Sequence, residues 1–280
     1  MAFHSDSAGR RGEVVTDRVE DRWLSNYAAS VGDLNDLYFE NRNGSPAVHP
    51  AYVSHLEWDA IGALAAHLDM SEEERSRGVH SWNRTDLEAP ITSGDLLECS
   101  ATLVGVEQRH SGARLTYRTE TSSQGTVVAT SFTQTIFRGV EVDGPEVVPD
   151  LPMPVEVPTE EFSREEEIVF DKLAPYVFSE CARDYGAIHT DRQVAESAGL
   201  PGMIMHGTGT FARVLSAIVN AEGNREPGQV AGFSGSLAAM VCCPSTTVLK
   251  TSMADNSARF ELRNEDDETA IRNGMVWFRQ

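Results

Sequence analysis

The stretch that decides the fold of this chain is Arg183-Asp184-Tyr185-Gly186-Ala187-Ile188-His189-Thr190-Asp191. It places a carboxylate at Asp184 and an imidazole at His189, five positions further on. A glycine-containing turn follows at residues 200–207, which read Leu200-Pro201-Gly202-Met203-Ile204-Met205-His206-Gly207. General acid–base catalysis requires an acid and a base held close together. The two stretches together therefore predict a catalytic site in the second half of the chain.

The first half of the chain carries a second copy of this pattern, Gly32-Asp33-Leu34-Asn35-Asp36-Leu37-Tyr38. Asp33 lies 151 residues before Asp184, and a tyrosine stands where the other copy has His189. This offset is about the length of one domain. In each half a short helical segment precedes the acidic motif, and a histidine follows at a turn, at His49 or His206. We infer an internal duplication in which only the second copy keeps both the acid and the base.

Hydrophobic periodicity predicts the same elements in both halves. A central helix is predicted from Val53, Leu56, Ala60, Ile61, Leu64 and Leu68, and another from Phe211, Leu215, Ile218 and Val219. Alternating or β-branched runs predict strands over residues 113–120, 126–138, 260–262 and 269–278. The predicted fold class is therefore α+β, with two repeats that each wrap an antiparallel sheet around one central helix.

A segment rich in proline and acidic residues separates the two repeats. It contains Pro145, Pro149, Pro152, Pro154 and Pro158. Prolines at this density interrupt helices and central strands, so the segment is predicted to be a surface linker. The predicted organisation is an N-terminal repeat over residues 1–139, a linker over 140–167 and a C-terminal repeat over 168–280.

Composition excludes several classes of function. The 280 residues carry a net charge of −20, which argues against a nucleic-acid partner because phosphate binding needs a basic surface. No apolar run reaches the roughly 18–20 residues that a membrane span needs, and the N-terminus lacks the features of a signal peptide. The four cysteines follow no zinc spacing, so we expect no metal. We expect a cytoplasmic protein without a membrane partner.

These motifs resemble the MaoC-like dehydratase family, specifically its double hot-dog members of the (R)-specific enoyl-CoA hydratase type. The positions that match the family's signature are Asp184, Ile188, His189, Asp191, Pro201, Gly202, His206 and Gly207. Residues 89–97 and 233–238 also resemble family segments. The resemblance covers nearly the whole chain, apart from the N-terminal residues and the linker.

The resemblance implies a double hot-dog fold and a hydro-lyase, of the enoyl-CoA hydratase or 3-hydroxyacyl-CoA dehydratase type. Such an enzyme adds or removes water across the α,β-double bond of an acyl-CoA thioester. Asp184 and His189 would be the catalytic pair, while Gly207 and His206 would form the oxyanion and substrate-binding side. The degenerate N-terminal repeat would shape a tunnel for the acyl chain. The resemblance further implies a homodimer and no cofactor, since coenzyme A is part of the substrate.

The chain departs from the family's signature at Gly186 and Ala187, where the family has asparagine and proline. Because that asparagine supports the catalytic pair, its absence leaves a non-catalytic acyl-thioester binding protein open as an alternative. A second alternative is an acyl-CoA thioesterase, since one fold can host several chemistries. Asp191 is interpreted as a first-turn acid behind an N-cap at Thr190 and is left out of the catalytic set.

Overall fold

The computed structural model describes residues 2–40, 44–153, 161–221 and 226–279. The chain divides into two compact units. Unit 1 contains Met1–Asp17, Leu56–Ala89 and Leu96–Pro154, and unit 2 contains Arg18–His55, Pro90–Asp95 and Val155–Gln280. Residues 18–55 of the predicted N-terminal repeat thus fold in the same unit as the C-terminal repeat. The predicted boundaries at 139/140 and 167/168 divide the sequence into two repeats and a linker, and this division stays a prediction.

The elements are those of an α+β protein, as predicted. The helices are α1 (Asp21–Ser30), α2 (Ser54–Ala65), α3 (Glu72–Ser76), α4 (Ala174–Ala182), α5 (Arg192–Ser197) and α6 (Gly207–Ala221). The strands are β1 (Ala2–His4), β2 (Val15–Arg18), β3 (Gly78–Leu87), β4 (Leu96–Arg109), β5 (Gly112–Ser123), β6 (Thr126–Arg138), β7 (Glu141–Asp143), β8 (Arg164–Phe170), β9 (Val230–Leu237), β10 (Ser245–Ala254), β11 (Ser257–Arg263) and β12 (Thr269–Phe278). The predicted central helices correspond to α2 and α6, and the predicted strands to β5, β6, β11 and β12. Among the described residues, no helix combines the length and apolar character that crossing a membrane requires.

Unit 1 is built on an antiparallel sheet whose strands follow the order β4-β5-β6-β3, with β2 beside β4. The strands β1 and β7 form a separate parallel pair. The helix α2 contributes Leu56, Ala60 and Leu64 to the core, each at most 1% exposed. Their spacing puts them on one face of the helix, which explains why periodicity alone located this element.

The helix α2 also carries a buried acid, Glu57, into the interior of unit 1. Its Oε1 accepts a hydrogen bond from Ser131 Oγ on β6 at 2.5 Å, and Ser131 Oγ lies 2.8 Å from Thr85 Oγ1 on β3. Burial raises the pKa of Glu57 to about 7, against the opposing effect of the Ser131 hydrogen bond. The folded protein therefore holds Glu57 protonated at pH values where an unfolded chain would ionise it.

We expect Glu57→Gln to stabilise the protein at high pH and to change its stability little at low pH. Below the unfolded pKa of about 4.5 both states bind the proton, and the penalty appears only as pH rises toward 7. We compare the free energy of unfolding of the variant with that of the wild type at each pH. This difference should be about 2–3 kcal/mol larger, in favour of the variant, at pH 8 than at pH 4. Urea denaturation at the two pH values measures this difference. The exposed Glu72→Gln on α3 controls for the loss of one charge, and an equal effect at both pH values would contradict the expectation.

Unit 2 is built on a five-stranded antiparallel sheet of order β9-β12-β11-β10-β8, which packs against α6. The ring of Phe211 on α6 lies 5.9 Å from Phe233 on β9 and 6.4 Å from Phe260 on β11. The two short helices α1 and α4 contact each other through Tyr27 and Phe178, whose rings are 5.8 Å apart. This contact brings the two acidic motifs, each of which follows one of these helices, into the same unit.

Part of the predicted linker forms strands. The strand β7 lies within residues 140–167, and β8 begins there at Arg164 and pairs with β10. The β8 sequence begins Arg-Glu-Glu-Glu, and only Ile168 and Phe170 of this strand are buried. An edge strand with so few buried residues has a weak hydrophobic alternation, which explains why it was not predicted. Residues 154–160 of the linker lie outside the described residues.

Candidate active site

The end of α4 determines where Asp184 lies. Arg183 terminates the helix in the left-handed region (φ 57°, ψ 35°), and the Asp184 N–H then donates to the Ser179 carbonyl at 3.1 Å. The Arg183 side chain turns away from this site, donating to His55 Nε2 at 2.6 Å and packing over the Trp23 ring. The reversal of the backbone at Arg183 therefore separates the side chains of Arg183 and Asp184, and the Asp184 carboxylate stays at the end of α4.

His189 lies in a short 3-10 turn, Ala187–His189, directly after this helix end. Its Nδ1 donates to the Ile204 carbonyl oxygen at 2.8 Å, which assigns the proton of a neutral ring to Nδ1. Nε2 is then the basic nitrogen. Burial lowers the pKa of His189 below its ordinary value, although the Ile204 carbonyl and the charge of Asp184 both act in the opposite direction. The ring is consequently a neutral base near neutral pH.

Gly186 lies between the two members of the pair in sequence, and both of their side chains come close to it. Its backbone angles (φ −59°, ψ 114°) are available to most residues, so the conformation does not require glycine. A Cβ at this position would lie 3.0 Å from His189 Cδ2, 3.4 Å from His189 Nε2 and 3.9 Å from Asp184 Oδ1. The contact with His189 Cδ2 is tight, so a side chain at this position would press on the His189 ring. Glycine, where the resembling family has asparagine, avoids this contact.

The helix α6 begins at Gly207, next to Asp184. The first N–H groups of a helix have no intrahelical acceptor, and the helix dipole favours negative charge at this end. Thr208 Oγ1 donates to Asp184 Oδ2 at 3.3 Å, so α6 supplies a hydroxyl to the carboxylate. Thr208 was not among the site residues predicted from the sequence. Its place one residue after the predicted oxyanion donor was the signal that could have indicated it.

His206 lies behind the pair and is 1% exposed. Its ring stacks on His189 with a centroid distance of 3.7 Å and an interplanar angle of 25°. Its Nε2 lies 3.1 Å from the Asp184 carbonyl oxygen and 3.1 Å from Ser179 Oγ. Burial and the neighbouring His189 lower the pKa of His206 to about 3. The structure thus groups Asp184, His189, His206 and Gly207, the four predicted site residues.

In the first copy of the motif both Asp33 and Tyr38 are buried. Asp33 is 2% exposed, and its Oδ1 accepts hydrogen bonds from the Asn35 N–H and from Asn220 Nδ2 on α6, both at 2.9 Å. Tyr38, at the position of His189, is fully buried, and burial together with Asp33 raises the pKa of its hydroxyl. A protonated, buried phenol cannot serve as a base near neutral pH. The first copy therefore has no base at the position of His189, and its role in shaping a tunnel for the acyl chain stays a prediction.

Asp191 is the N-cap of α5. Its Oδ1 accepts from the N–H groups of Gln193 and Val194, at 2.8 and 3.1 Å. The expected N-cap at Thr190 was therefore wrong by one residue, because a cap must reach the second and third N–H groups of its helix and the helix begins at Arg192.

Within the described parts of the chain, no three His, Cys, Asp or Glu side chains are grouped so that they could hold a metal ion.

Comparison with known proteins identifies dehydratase domains in both parts of the sequence. Residues 156–273 match the MaoC like domain, and residues 7–131 match the dehydratase domain region of the FAS1-like type. Fatty acid synthase subunit beta of Saccharomyces cerevisiae is 34% identical over an alignment of 113 residues, and the match covers 37% of this chain. The match spans only 5% of the length of that relative.

Solved structures show the same fold. A MaoC-like dehydratase from Phytophthora capsici superposes with a TM-score of 0.86 at 16% identity, over 99% of this chain and 98% of that chain. A conserved hypothetical protein of Mycobacterium tuberculosis, described as having a double hotdog fold, gives a TM-score of 0.62 at 14% identity, over 96% and 95% of the two chains. The predicted double hot-dog fold is confirmed.

Proposed function

We propose that this chain, a member of the MaoC-like dehydratase family, adds or removes water across the α,β-double bond of an acyl-CoA thioester. The observation that carries the proposal is the arrangement around Gly186. His189 Nε2 and Asp184 Oδ1 lie 3.4 and 3.9 Å from the position that a Cβ at Gly186 would take, and Thr208 in the first turn of α6 contacts Asp184. A base, a carboxylate and a group of N–H donors are the parts that this reaction needs.

In the hydration direction a water molecule would contact the side chains of both Asp184 and His189. As its oxygen bonds to the β-carbon, one of its protons passes to the pair. The π electrons move toward the thioester oxygen, which becomes an enolate. The pair then returns the proton to the α-carbon, so that no group is consumed, and dehydration is the reverse sequence.

The Gly207 amide is proposed to stabilise the enolate oxygen. It belongs to the first turn of α6, where backbone N–H groups lack helical partners and the dipole favours negative charge. Loss of one such donor typically lowers the rate on the order of 10²–10³-fold. The proposed reaction requires no cofactor beyond the coenzyme A of the substrate.

The assay for this function is the hydration of crotonyl-CoA, followed by loss of the enoyl-thioester absorbance, together with mesaconyl-CoA and medium-chain enoyl-CoAs. A thiol reagent run in parallel detects hydrolysis, because hydration leaves the thioester intact. Loss of the enoyl absorbance without thiol release supports the proposal. Thiol release at the same rate identifies a thioesterase, and tight binding without turnover of any thioester identifies a binding protein.

We expect kcat/KM for hydration to be constant between pH 8 and about pH 6.5 and to fall below that range. The proposed mechanism needs unprotonated His189, whose pKa lies below its ordinary value of 6.5 because the ring is buried. Protonation of Nε2 therefore inactivates the enzyme only on the acidic side. Asp184 and His206 are the titratable groups beside the ring, and burial holds His206 neutral. A pH–rate profile with a midpoint above 7 would contradict this assignment.

A further inference from the structure

The most buried group of the site, His206, has no part in the proton transfers proposed above. It is 1% exposed, and its ring contacts both His189 (3.7 Å) and Phe178 (5.0 Å between centroids). A side chain enclosed in this way does not reach a substrate. A phenylalanine would fill a similar volume, so the contribution specific to histidine must come from its ring nitrogens.

The hydrogen bonds of His206 identify its tautomer. A carbonyl oxygen can only accept, so the 3.1 Å contact between Nε2 and the Asp184 carbonyl requires a proton on Nε2. Ser179 Oγ already donates to the same carbonyl at 2.7 Å, which leaves its lone pairs to face Nε2 at 3.1 Å. Nδ1 of His206 is buried and has no hydrogen-bond partner among the residues that the structure describes. A second proton there would be a buried, unpaired charge, so the ring stays neutral.

One ring thus contacts both members of the pair. The Nε2–H of His206 and the hydroxyl of Ser179 hold the main chain of Asp184, and the face of the His206 ring supports the imidazole of His189. We propose that His206 is a positioning residue, which fixes the backbone of Asp184 and the ring of His189 in one arrangement. This inference rests on the proposed function for its kinetic consequences, but the tautomer and the stacking can be measured without activity.

The first copy of the motif provides an internal comparison. His49 there contacts Tyr38 at a centroid distance of 5.7 Å, and its Nδ1 accepts from the Ala51 N–H at 3.1 Å. Its Nε2 faces Ser216 Oγ on α6, also at 3.1 Å. The histidine after the turn is therefore present in both copies, while the hydrogen bond to the backbone of the acidic residue is found at His206.

The kinetic test compares two variants that each keep one property of the ring. His206→Phe keeps a face for stacking and loses the N–H, while His206→Gln places an amide N–H near the position of Nε2 and loses the ring. We expect His206→Phe to lower kcat 10- to 100-fold, on the order expected for a small displacement of catalytic groups, with KM changed less than about 2-fold. His206→Gln should recover part of the lost kcat. His49→Phe is the matched control and should leave kcat within about 2-fold.

Thermal unfolding of each variant shows whether it is folded at the assay temperature. A folded His206→Phe variant with wild-type kcat would overturn the proposal, as would an equal loss in His49→Phe. A larger change in KM than in kcat would also overturn it, because a positioning residue behind the pair does not bind the substrate.

Nitrogen-15 NMR of the histidine rings tests the same proposal without a substrate. We expect His206 to remain a neutral Nε2–H tautomer from pH 5 to pH 8, and we expect the ring nitrogens of His189 to change their shifts in His206→Phe. Titration of His206 in that range, or unchanged His189 shifts in the variant, would overturn the proposal. If the wild type hydrates no thioester, the proposed function fails, and the NMR result still decides the role of His206.

Discussion

Replacing His189 with alanine is expected to lower kcat for crotonyl-CoA hydration by about 10²–10⁴-fold, the range that a positioned acid–base group contributes. The physical reason is the single hydrogen bond from Nδ1 to the Ile204 carbonyl, which leaves Nε2 as the basic atom beside Gly186. In the proposed mechanism Asp184 is the other group that contacts the water molecule. The measurement is steady-state hydration at pH 7.5, where the wild-type ring is neutral.

Two further variants separate the chemistry of His189 from its packing. His189→Asn keeps an N–H near the position of Nδ1, and with it the hydrogen bond to Ile204, but has no equivalent of Nε2. It should be as inactive as His189→Ala while remaining closer to the wild type in thermal stability. His110→Ala, at an exposed position between β4 and β5, controls for the loss of an imidazole elsewhere. Full activity in both His189 variants would remove this residue from the site.

Replacing Asp184 with asparagine should also lower kcat by about 10²–10⁴-fold. Asparagine keeps the shape of the side chain and can still accept the hydrogen bond that Thr208 Oγ1 donates at 3.3 Å. The substitution therefore removes the charge and the capacity to take up a proton, and leaves the local packing in place. A loss of activity without a loss of stability would assign the effect to the chemistry of the carboxylate.

The matched control is Asp33→Asn in the first copy of the motif. Asp33 accepts hydrogen bonds from Asn35 and Asn220 through Oδ1, and an asparagine oxygen can accept the same two bonds. We expect kcat to change by less than about 2-fold, since Tyr38 supplies no base beside this residue. If Asp33→Asn lost activity and Asp184→Asn kept it, the assignment of the two copies would be reversed.

The duplicated motif could be predicted well because it depends on short-range geometry. In both copies the acidic residue follows a helix end, and the residue five positions later closes a 3-10 turn, Asp36–Tyr38 or Ala187–His189. The N–H of the acidic residue bonds to the carbonyl five residues back in each copy, at 3.0 Å for Asp33 and 3.1 Å for Asp184. Contacts of this kind are encoded by residues that are neighbours in sequence, so the spacing was sufficient to find them.

Other features depended on contacts between distant segments and could not be predicted. Thr208 reaches Asp184 from another helix, and the stacked rings of His189 and His206 come from two separate turns. The first four residues of β8 (164–167) were assigned to the linker because the few buried residues of this strand show little alternation. Residues 18–55 share a unit with the C-terminal repeat because α1 packs against α4. No local sequence pattern indicates which helices will pack against each other.

The sequence by itself determined the α+β class, the duplication and the placement of an acid and a base five residues apart, because helical periodicity, strand alternation and turn geometry act over a few residues. Only the tertiary structure decided the protonation states of the site residues. Burial and distant partners keep His189 and His206 neutral near neutral pH and enclose Asp33 and Tyr38. The protonation state of a side chain depends on its solvation and on the charges around it, and both arise only when distant parts of the chain meet.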